Sequence, residues 1–184
     1  PISVDTRHAE VAAAAMAAGA AIINDISGLA DPAMADVAAR TGAGLVLGHL
    51  RGEPATMQVH VCFDDLLAEV ARELAVAVER ALRAGVPGDR ILVDPGIGFG
   101  KTAEQSTALL AASMELTQRT GCPVLIGASR KAFLGVITGK PVGERMISSV
   151  KAAVIAVERG ASVVRVHDVA ATAEALRVLA AARA

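Results

Sequence analysis

The sequence contains no tryptophan, no tyrosine and only three phenylalanines in 184 residues. Its core must therefore be aliphatic. Alanine dominates the 53% hydrophobic fraction, and such small side chains let elements pack closely. Net charge is nearly absent, with a formal balance of −1. That argues against a general electrostatic nucleic-acid binder, which needs a basic surplus or stripe. A local anion pocket stays compatible with it. No apolar run is long enough to span a membrane without interruption by charge. The opening Pro1-Ile2-Ser3-Val4-Asp5 shows no initiator Met and no signal-peptide pattern. The two cysteines, Cys62 and Cys122, lie far apart in no metal-ligand spacing. Free thiols in a reducing, cytoplasmic compartment are expected. No linker, low-complexity tract or charge run marks a second domain, so residues 1–184 read as a single domain.

What is present is a recurring pattern. Short aliphatic runs end in a polar residue, and alanine-rich helical stretches follow. Strands are expected at Ile2–Asp5, Ala21–Asp25, Gly44–His49, Ile91–Asp94, Val124–Ser129 and Val163–Asp168. Helices are expected near His8–Ala18, Pro32–Thr41, Asp64–Ala84, Glu104–Thr120, Gly143–Arg159 and Ala171–Ala182. Alternation of this kind implies βαβ units and a parallel sheet. Gly19, Gly42, Gly85, Gly121 and Gly160 each follow a helix, where a residue with positive φ closes it at low cost. Asp31-Pro32 reads as a cap and first turn, and Asp64 as the cap of the next helix. Six units suit either a doubly wound open sheet or most of a (β/α)8 barrel, which needs eight.

Reactive residue types gather where each strand ends: Asp5, Asn24 with Asp25, His49, Asp94, Ser129-Arg130-Lys131, and Arg165 with His167 and Asp168. In a parallel α/β protein these ends share one face, where active sites are built. Arg165 and His167 alternate along a strand and so face one side. Arg offers a planar fork to phosphate oxygens, and His a further donor. With Arg130 and Lys131 they form a candidate anion site.

The segment Asp94-Pro-Gly-Ile-Gly-Phe-Gly-Lys-Thr102 resembles a phosphate loop but fails its pattern, because Pro95 stands where the first glycine is required. The dinucleotide fingerprint fails too, since the third glycine follows by two residues instead of three. A plain mobile loop is one reading. The other is a loop whose glycines bring backbone close to a flat ligand, with Asp94 to anchor it and Phe99 to stack. The histidines, His8, His49, His60 and His167, form no metal-binding spacing, and His8 and His60 read as surface residues. A Ser129–His167–Asp94 hydrolytic set lacks a nucleophile-elbow sequence.

At these strand ends the sequence resembles the dihydropteroate synthases. The matching segments are Ile2-Ser-Val-Asp-Thr6, Ile22-Ile-Asn-Asp-Ile26, His49-Leu-Arg-Gly-Glu-Pro-Ala-Thr-Met-Gln58, Asp94-Pro-Gly-Ile-Gly-Phe-Gly-Lys101, Gly127-Ala-Ser-Arg-Lys-Ala-Phe-Leu-Gly135 and Val164-Arg-Val-His-Asp-Val169. The resemblance implies a TIM (β/α)8-type barrel, of which this chain supplies about six βα units. It implies condensation of 6-hydroxymethyl-7,8-dihydropterin pyrophosphate with p-aminobenzoate, the site sulfonamides occupy, in folate biosynthesis. Asp5, Asn24 and Asp94 would meet the donors and acceptors of the pterin edge, and Lys131 the pterin oxygen and ring nitrogen. Phe99 would lie beside the pterin. Arg165 and His167 would hold the pyrophosphate together with Mg2+, and Ser129 and Arg130 the p-aminobenzoate. Asp5, Asp94, Lys131, Arg165 and His167 carry the catalytic assignment. No metal ligand is assigned within this chain. A homodimer through outer helices is also implied.

Two departures from the family pattern bear on this. The family has two further βα units ahead of the strand matching Ile2–Asp5, with a metal- and pyrophosphate-binding Asn and two mobile loops. Without them, poor stability and little turnover are expected. A pterin-binding homologue without transfer activity is therefore the alternative reading, and a pterin-dependent methyltransferase barrel a third. The second departure is Gly48, where the family has a Met that packs on the pterin. A wider pocket is expected there, at about 1–3 kcal/mol of lost contact, so Gly48→Met is expected to tighten binding.

Overall fold

A computed structural model describes residues 1–53, 55–59 and 61–183. His60, read above as a surface residue, lies outside the described residues, as does Pro54 of the His49–Gln58 segment. The strands are β1 (Ser3–Asp5), β2 (Ile22–Asp25), β3 (Gly44–Gly48), β4 (Ile91–Asp94), β5 (Leu125–Ile126) and β6 (Val163–Val164). The helices are α1 (Ala9–Ala17), α2 (Met34–Thr41), α3 (Leu66–Arg83), α4 (Ala103–Leu110), α5 (Ser113–Thr120), α6 (Ala132–Thr138), α7 (Met146–Glu158) and α8 (Val169–Ala181).

All strand pairs are parallel and run in sequence order. β1 to β4 form one sheet, β5 pairs with β6, and a Val93–Val124 bridge joins the two sets. A doubly wound sheet would reverse its order part-way, and this one does not. Curvature settles the rest. Six strands laid flat would put β1 roughly 24 Å from β6 at normal spacing. Yet Arg165, just after β6, bonds Asp5 of β1 at 2.8 Å. Two side chains cannot bridge a flat sheet of that width, so the strands curl into the arc of a barrel.

The strand interior alternates as a curled sheet requires. Ile23, Leu45, Leu47, Ile91 and Val93 are buried against the helices. Asp5, Asn24, Val46 and Leu92 line the inside. The core is aliphatic as expected: Phe133 is the one phenylalanine among the buried hydrophobic residues, and Ala12, Ala38, Ala77, Ala81 and Ala156 fill the helix contacts. On α3, Val70, Leu74, Ala77 and Ala81 recur at helical spacing and form the buried stripe. His8 is exposed, as read from sequence, and the five helix-terminating glycines all have positive φ.

Several boundaries differ from the sequence reading, each for a physical reason. The stretch Glu104–Thr120 is two helices. In a continuous helix the Met114 N–H would bond back to Leu110. Instead it donates to the Arg159 carbonyl at the end of α7, 2.8 Å away. Asp31 accepts from the first N–H of α1, at Ala9, as well as from Ala33, and α2 begins only at Met34. The cap of α3 is Asp65, whose carboxylate accepts from Ala68, and not Asp64. The seven-residue α6 follows Lys131 directly, between the strand and helix expected at Val124–Ser129 and Gly143–Arg159, in a stretch for which the sequence reading named no element.

Candidate active site

The glycine-rich loop leaves β4 at Asp94, and its first hydrogen bond is to itself: the Gly96 N–H donates to Asp94 Oδ1 at 2.7 Å. This turn folds the loop over the barrel mouth. Gly96 is obligatory there, since a Cβ would stand 1.9 Å from the His49 carbonyl oxygen. The Asp94 carboxylate is half-buried, and burial raises its pKa. The Gly96 bond, Lys131, Lys101 and Arg165 act in the opposite direction. Gly127 leaves the opposite wall open, its Cβ position 3.7 Å from Asp94 Oδ2.

Phe99 and Lys131 meet directly. The Lys131 ammonium stands 3.8 Å from the Phe99 ring centroid, and its chain packs over Gly98. Burial lowers the Lys131 pKa, opposed by Asp94 and assisted by Arg165. Beside it lies a cavity of about 190 Å³ lined by Gly127, Ser129, Lys131, Arg165, Val166 and His167. Arg165 and His167 both line this cavity, but so does Val166 between them, because the paired strand ends at Val164 and the alternation expected there does not hold. Ser129 is buried, accepts from the His167 backbone N–H at 3.2 Å and lies 2.9 Å from His167 Nδ1. A Ser129 hydroxyl that donates to Nδ1 leaves Nε2–H facing outward, as a donor to an anion. No carboxylate is bonded to that imidazole among the described residues, so the hydrolytic set is not assembled.

Asp5 and Asn24 line a larger interior space of about 350 Å³ beneath, together with Arg165. Arg130 stands apart from this group. It adopts a left-handed conformation, φ 58°, and its guanidinium makes two bonds to Asp168. Of the sequence-predicted residues, then, Asp94, Phe99, Ser129, Lys131, Arg165 and His167 surround one mouth, with Asp5 and Asn24 on its floor. Arg130 is committed to an ion pair at the rim.

Sequence reasoning missed a polar layer behind the glycine loop, buried at Lys101 and His49 and open to solvent towards Arg51 and Gln58. Lys101 is 4% exposed, and its ammonium donates to the Phe99 carbonyl at 2.9 Å and approaches His49 Nδ1 at 3.0 Å. His49 Nε2 meets Glu73 Oε2 at 3.0 Å. Arg51 bonds Glu73 and Glu69 and lies 4.1 Å over Phe63. Gln58 donates to the Gly98 carbonyl at 2.9 Å. The signal available was Lys101 itself, a charge at the end of a glycine run.

Gly48 is a correction. A Cβ there would lie 2.7 Å from Ile26 Cα and 3.1 Å from the Asp25 carbonyl oxygen. The space a side chain would need is occupied by backbone leaving β2. The glycine marks a close approach of two strands, and no room waits for a methionine.

The family model described as "Pterin binding enzyme" matches residues 1–167. The chain belongs to the pterin-binding enzymes. Dihydropteroate synthase of Neisseria meningitidis serogroup B is 44% identical over 97% of this chain and 64% of its own length. The chain thus spans less than two thirds of that curated relative. A crystal structure of dihydropteroate synthase from Stenotrophomonas maltophilia superposes with a TM-score of 0.95 at 48% identity, covering 100% of this chain and 69% of that one. The Thermus thermophilus dihydropteroate synthase, in complex with 6HMPPP, gives 0.95 at 44% identity, over 100% of this chain and 73% of that one. This family fold is the TIM (β/α)8-type barrel, and the chain supplies six of its βα units.

The family reading implies Mg2+, which the side chains present do not accommodate by themselves. Among the described residues no three His, Cys, Asp or Glu side chains converge, and Asp5 already pairs with Arg165.

Proposed function

We propose that this chain carries the pterin and pyrophosphate sites of a dihydropteroate synthase. In this reading it joins 6-hydroxymethyl-7,8-dihydropterin pyrophosphate to p-aminobenzoate. The observation that supports it best is the single mouth in which a cationic cavity, built from Lys131, Arg165 and His167, adjoins a half-buried carboxylate and an aromatic ring, Asp94 and Phe99. A flat heterocycle that gains positive charge as it sheds a phosphate tail matches that charge pattern.

Asp94 accepts from the exocyclic amine and a ring N–H of the pterin. Those donors favour its ionised form and offset the burial that raises its pKa. Asn24 and Asp5 complete the polar edge, and Lys131 donates to the pterin oxygen. Arg165 and His167 hold the pyrophosphate. The bond from the pterin methylene carbon to the pyrophosphate oxygen breaks, and its electron pair leaves with pyrophosphate. The carbon, part of a cation spread over the ring, takes the lone pair of the p-aminobenzoate nitrogen, which then releases one proton. Asp94 and Asp5 stabilise the cation, and Arg165 and His167 the leaving group. The aniline is neutral near pH 7, so no strong base is needed. Ser129 is the group proposed nearest p-aminobenzoate. For Arg130 to take part it must exchange its Asp168 partner.

The same reading makes residues 1–184 one pterin-binding domain, with Mg2+ arriving as the companion of the pyrophosphate. It places the protein in the cytoplasm. No helix of the described residues is long and apolar enough to cross a membrane. A homodimer is part of the proposal, and the exposed Ile137 and Ile147 on α6 and α7 offer apolar surface to a second copy.

Calorimetric titration with the pterin pyrophosphate, followed by p-aminobenzoate and assay of the condensed product, tests the reading. Saturable binding that Asp94→Asn abolishes is expected. Binding of inorganic pyrophosphate alone, with no preference for its pterin ester, would overturn it.

A further inference from the structure

The loop after β4 has little stiffness of its own, because Gly96, Gly98 and Gly100 all sit at positive φ. Yet it holds Phe99 against Lys131. The side chain that turns back from the loop into the protein is Lys101. Its ammonium donates to the Phe99 carbonyl at 2.9 Å, approaches His49 Nδ1 at 3.0 Å and reaches the His49 carbonyl at 3.5 Å. An ammonium carries donors alone, so His49 must offer a bare Nδ1. Its proton then sits on Nε2 and goes to Glu73, 3.0 Å away. Glu73 is in turn fixed by Arg51. Each proton has an acceptor, and the chain runs from α3 through the end of β3 into the loop.

Resting on the pterin-transfer reading, we infer that Lys101 is a positioning residue of the pterin site: by tying the Phe99 carbonyl to His49 it fixes where the Phe99 ring and the Lys131 ammonium stand. Lys101 touches no substrate itself. It works through the loop backbone, and His49 and Glu73 orient it.

A pH signature follows from its burial. Desolvation lowers the Lys101 pKa to about 8, against Asp94 and Glu73, which raise it, and with Arg51 and Lys131, which lower it further. The charged and titratable groups around it are thus His49, Arg51, Glu73, Asp94 and Lys131. Opening the loop returns Lys101 to water and to the ordinary lysine range near pH 10.5. Opening therefore takes up a proton, and the closed loop gains stability as pH rises from about 8 towards 10.5.

Hydrogen exchange of the whole chain, read at residues 96–100 and corrected for intrinsic pH dependence, tests this beside calorimetry with the pterin pyrophosphate. Lys101→Met should speed loop exchange and weaken pterin pyrophosphate affinity, each by about tenfold, the scale of one charge-assisted hydrogen bond. It should also erase the rise in loop protection above pH 8. Loop exchange or affinity unchanged in this variant would overturn the inference. If the variant does not fold, the wild-type profile decides: protection that rises with pH in the loop alone supports it, and a flat profile overturns it. A wild-type chain that binds no pterin pyrophosphate would sink the transfer reading instead, and the loop exchange would still report on Lys101.

Discussion

The Arg165 guanidinium reaches across the open side of the barrel to the Asp5 carboxylate, 2.8 Å away, and both groups are largely exposed. Exposed pairs contribute little to stability. Their proximity matters more for ligands, because Asp5 competes with any anion for Arg165. Asp5→Asn should therefore shift the urea midpoint very little. It should tighten inorganic pyrophosphate by about fivefold and weaken the pterin ester, since only the ester uses the Asp5 charge at the ring. Calorimetry with both ligands checks the opposite signs. Affinities moving together would show that Asp5 and Arg165 serve one ligand group.

Gly48 carries a second prediction, now reversed from the sequence-based one. With its Cβ position 2.7 Å from Ile26 Cα, any side chain must displace the exit of β2, which also carries Asn24 and Asp25. Asp25 is fully buried and holds that exit through Ser27 and Leu29. Gly48→Ala should cost about 1–3 kcal/mol in urea unfolding, the scale of an overpacked core, and should weaken pterin binding. Unchanged stability would mean the strand exit yields easily.

Acid sensitivity follows from His49. Burial and the nearby Lys101 lower its pKa from 6.5 to about 4, against Glu73. The folded state thus binds this proton less tightly than the unfolded chain. Its stability is complete above pH 6.5 and is lost as pH falls towards 4, by roughly 3 kcal/mol at most. Glu73 acts in the same direction. Burial raises its pKa, but Arg51 and His49 together hold it below the ordinary value, so its contribution also fades with acid. Urea midpoints measured between pH 7 and 4 should fall through this window, and His49→Gln should flatten the fall. An equally steep decline in that variant would place the sensitivity elsewhere.

The alternation of strands and helices and the polar strand ends were legible because each rests on local pattern: aliphatic runs, helix-closing glycines, and reactive residue types where the runs end. What escaped the sequence was set by distant partners. The break between α4 and α5 depends on the Arg159 carbonyl accepting from Met114. The inward turn of Lys101 depends on His49, 52 residues earlier. Gly48 was misread because a missing side chain was counted as empty space, when backbone from β2 fills it. Arg130 was grouped with the anion site by its neighbours in sequence, but its left-handed backbone turns it to Asp168.

Ser129 gives the sharpest separation of the two halves of the proposed ligand. It lies against His167 through both the backbone N–H and Nδ1, while Asp94 and Phe99 are held by other contacts. Removing its hydroxyl frees the His167 ring to rotate and to change tautomer, so Nε2–H no longer points steadily at the anion cavity. Ser129→Ala should weaken the pterin pyrophosphate by about three- to tenfold, the range of one buried hydrogen bond. The affinity of the pterin alcohol, which has no phosphates, should be unchanged. Calorimetry with both ligands reads the difference. Equal losses on the two would mean that Ser129 shapes the whole mouth, and His167 would then lose its assignment to the pyrophosphate.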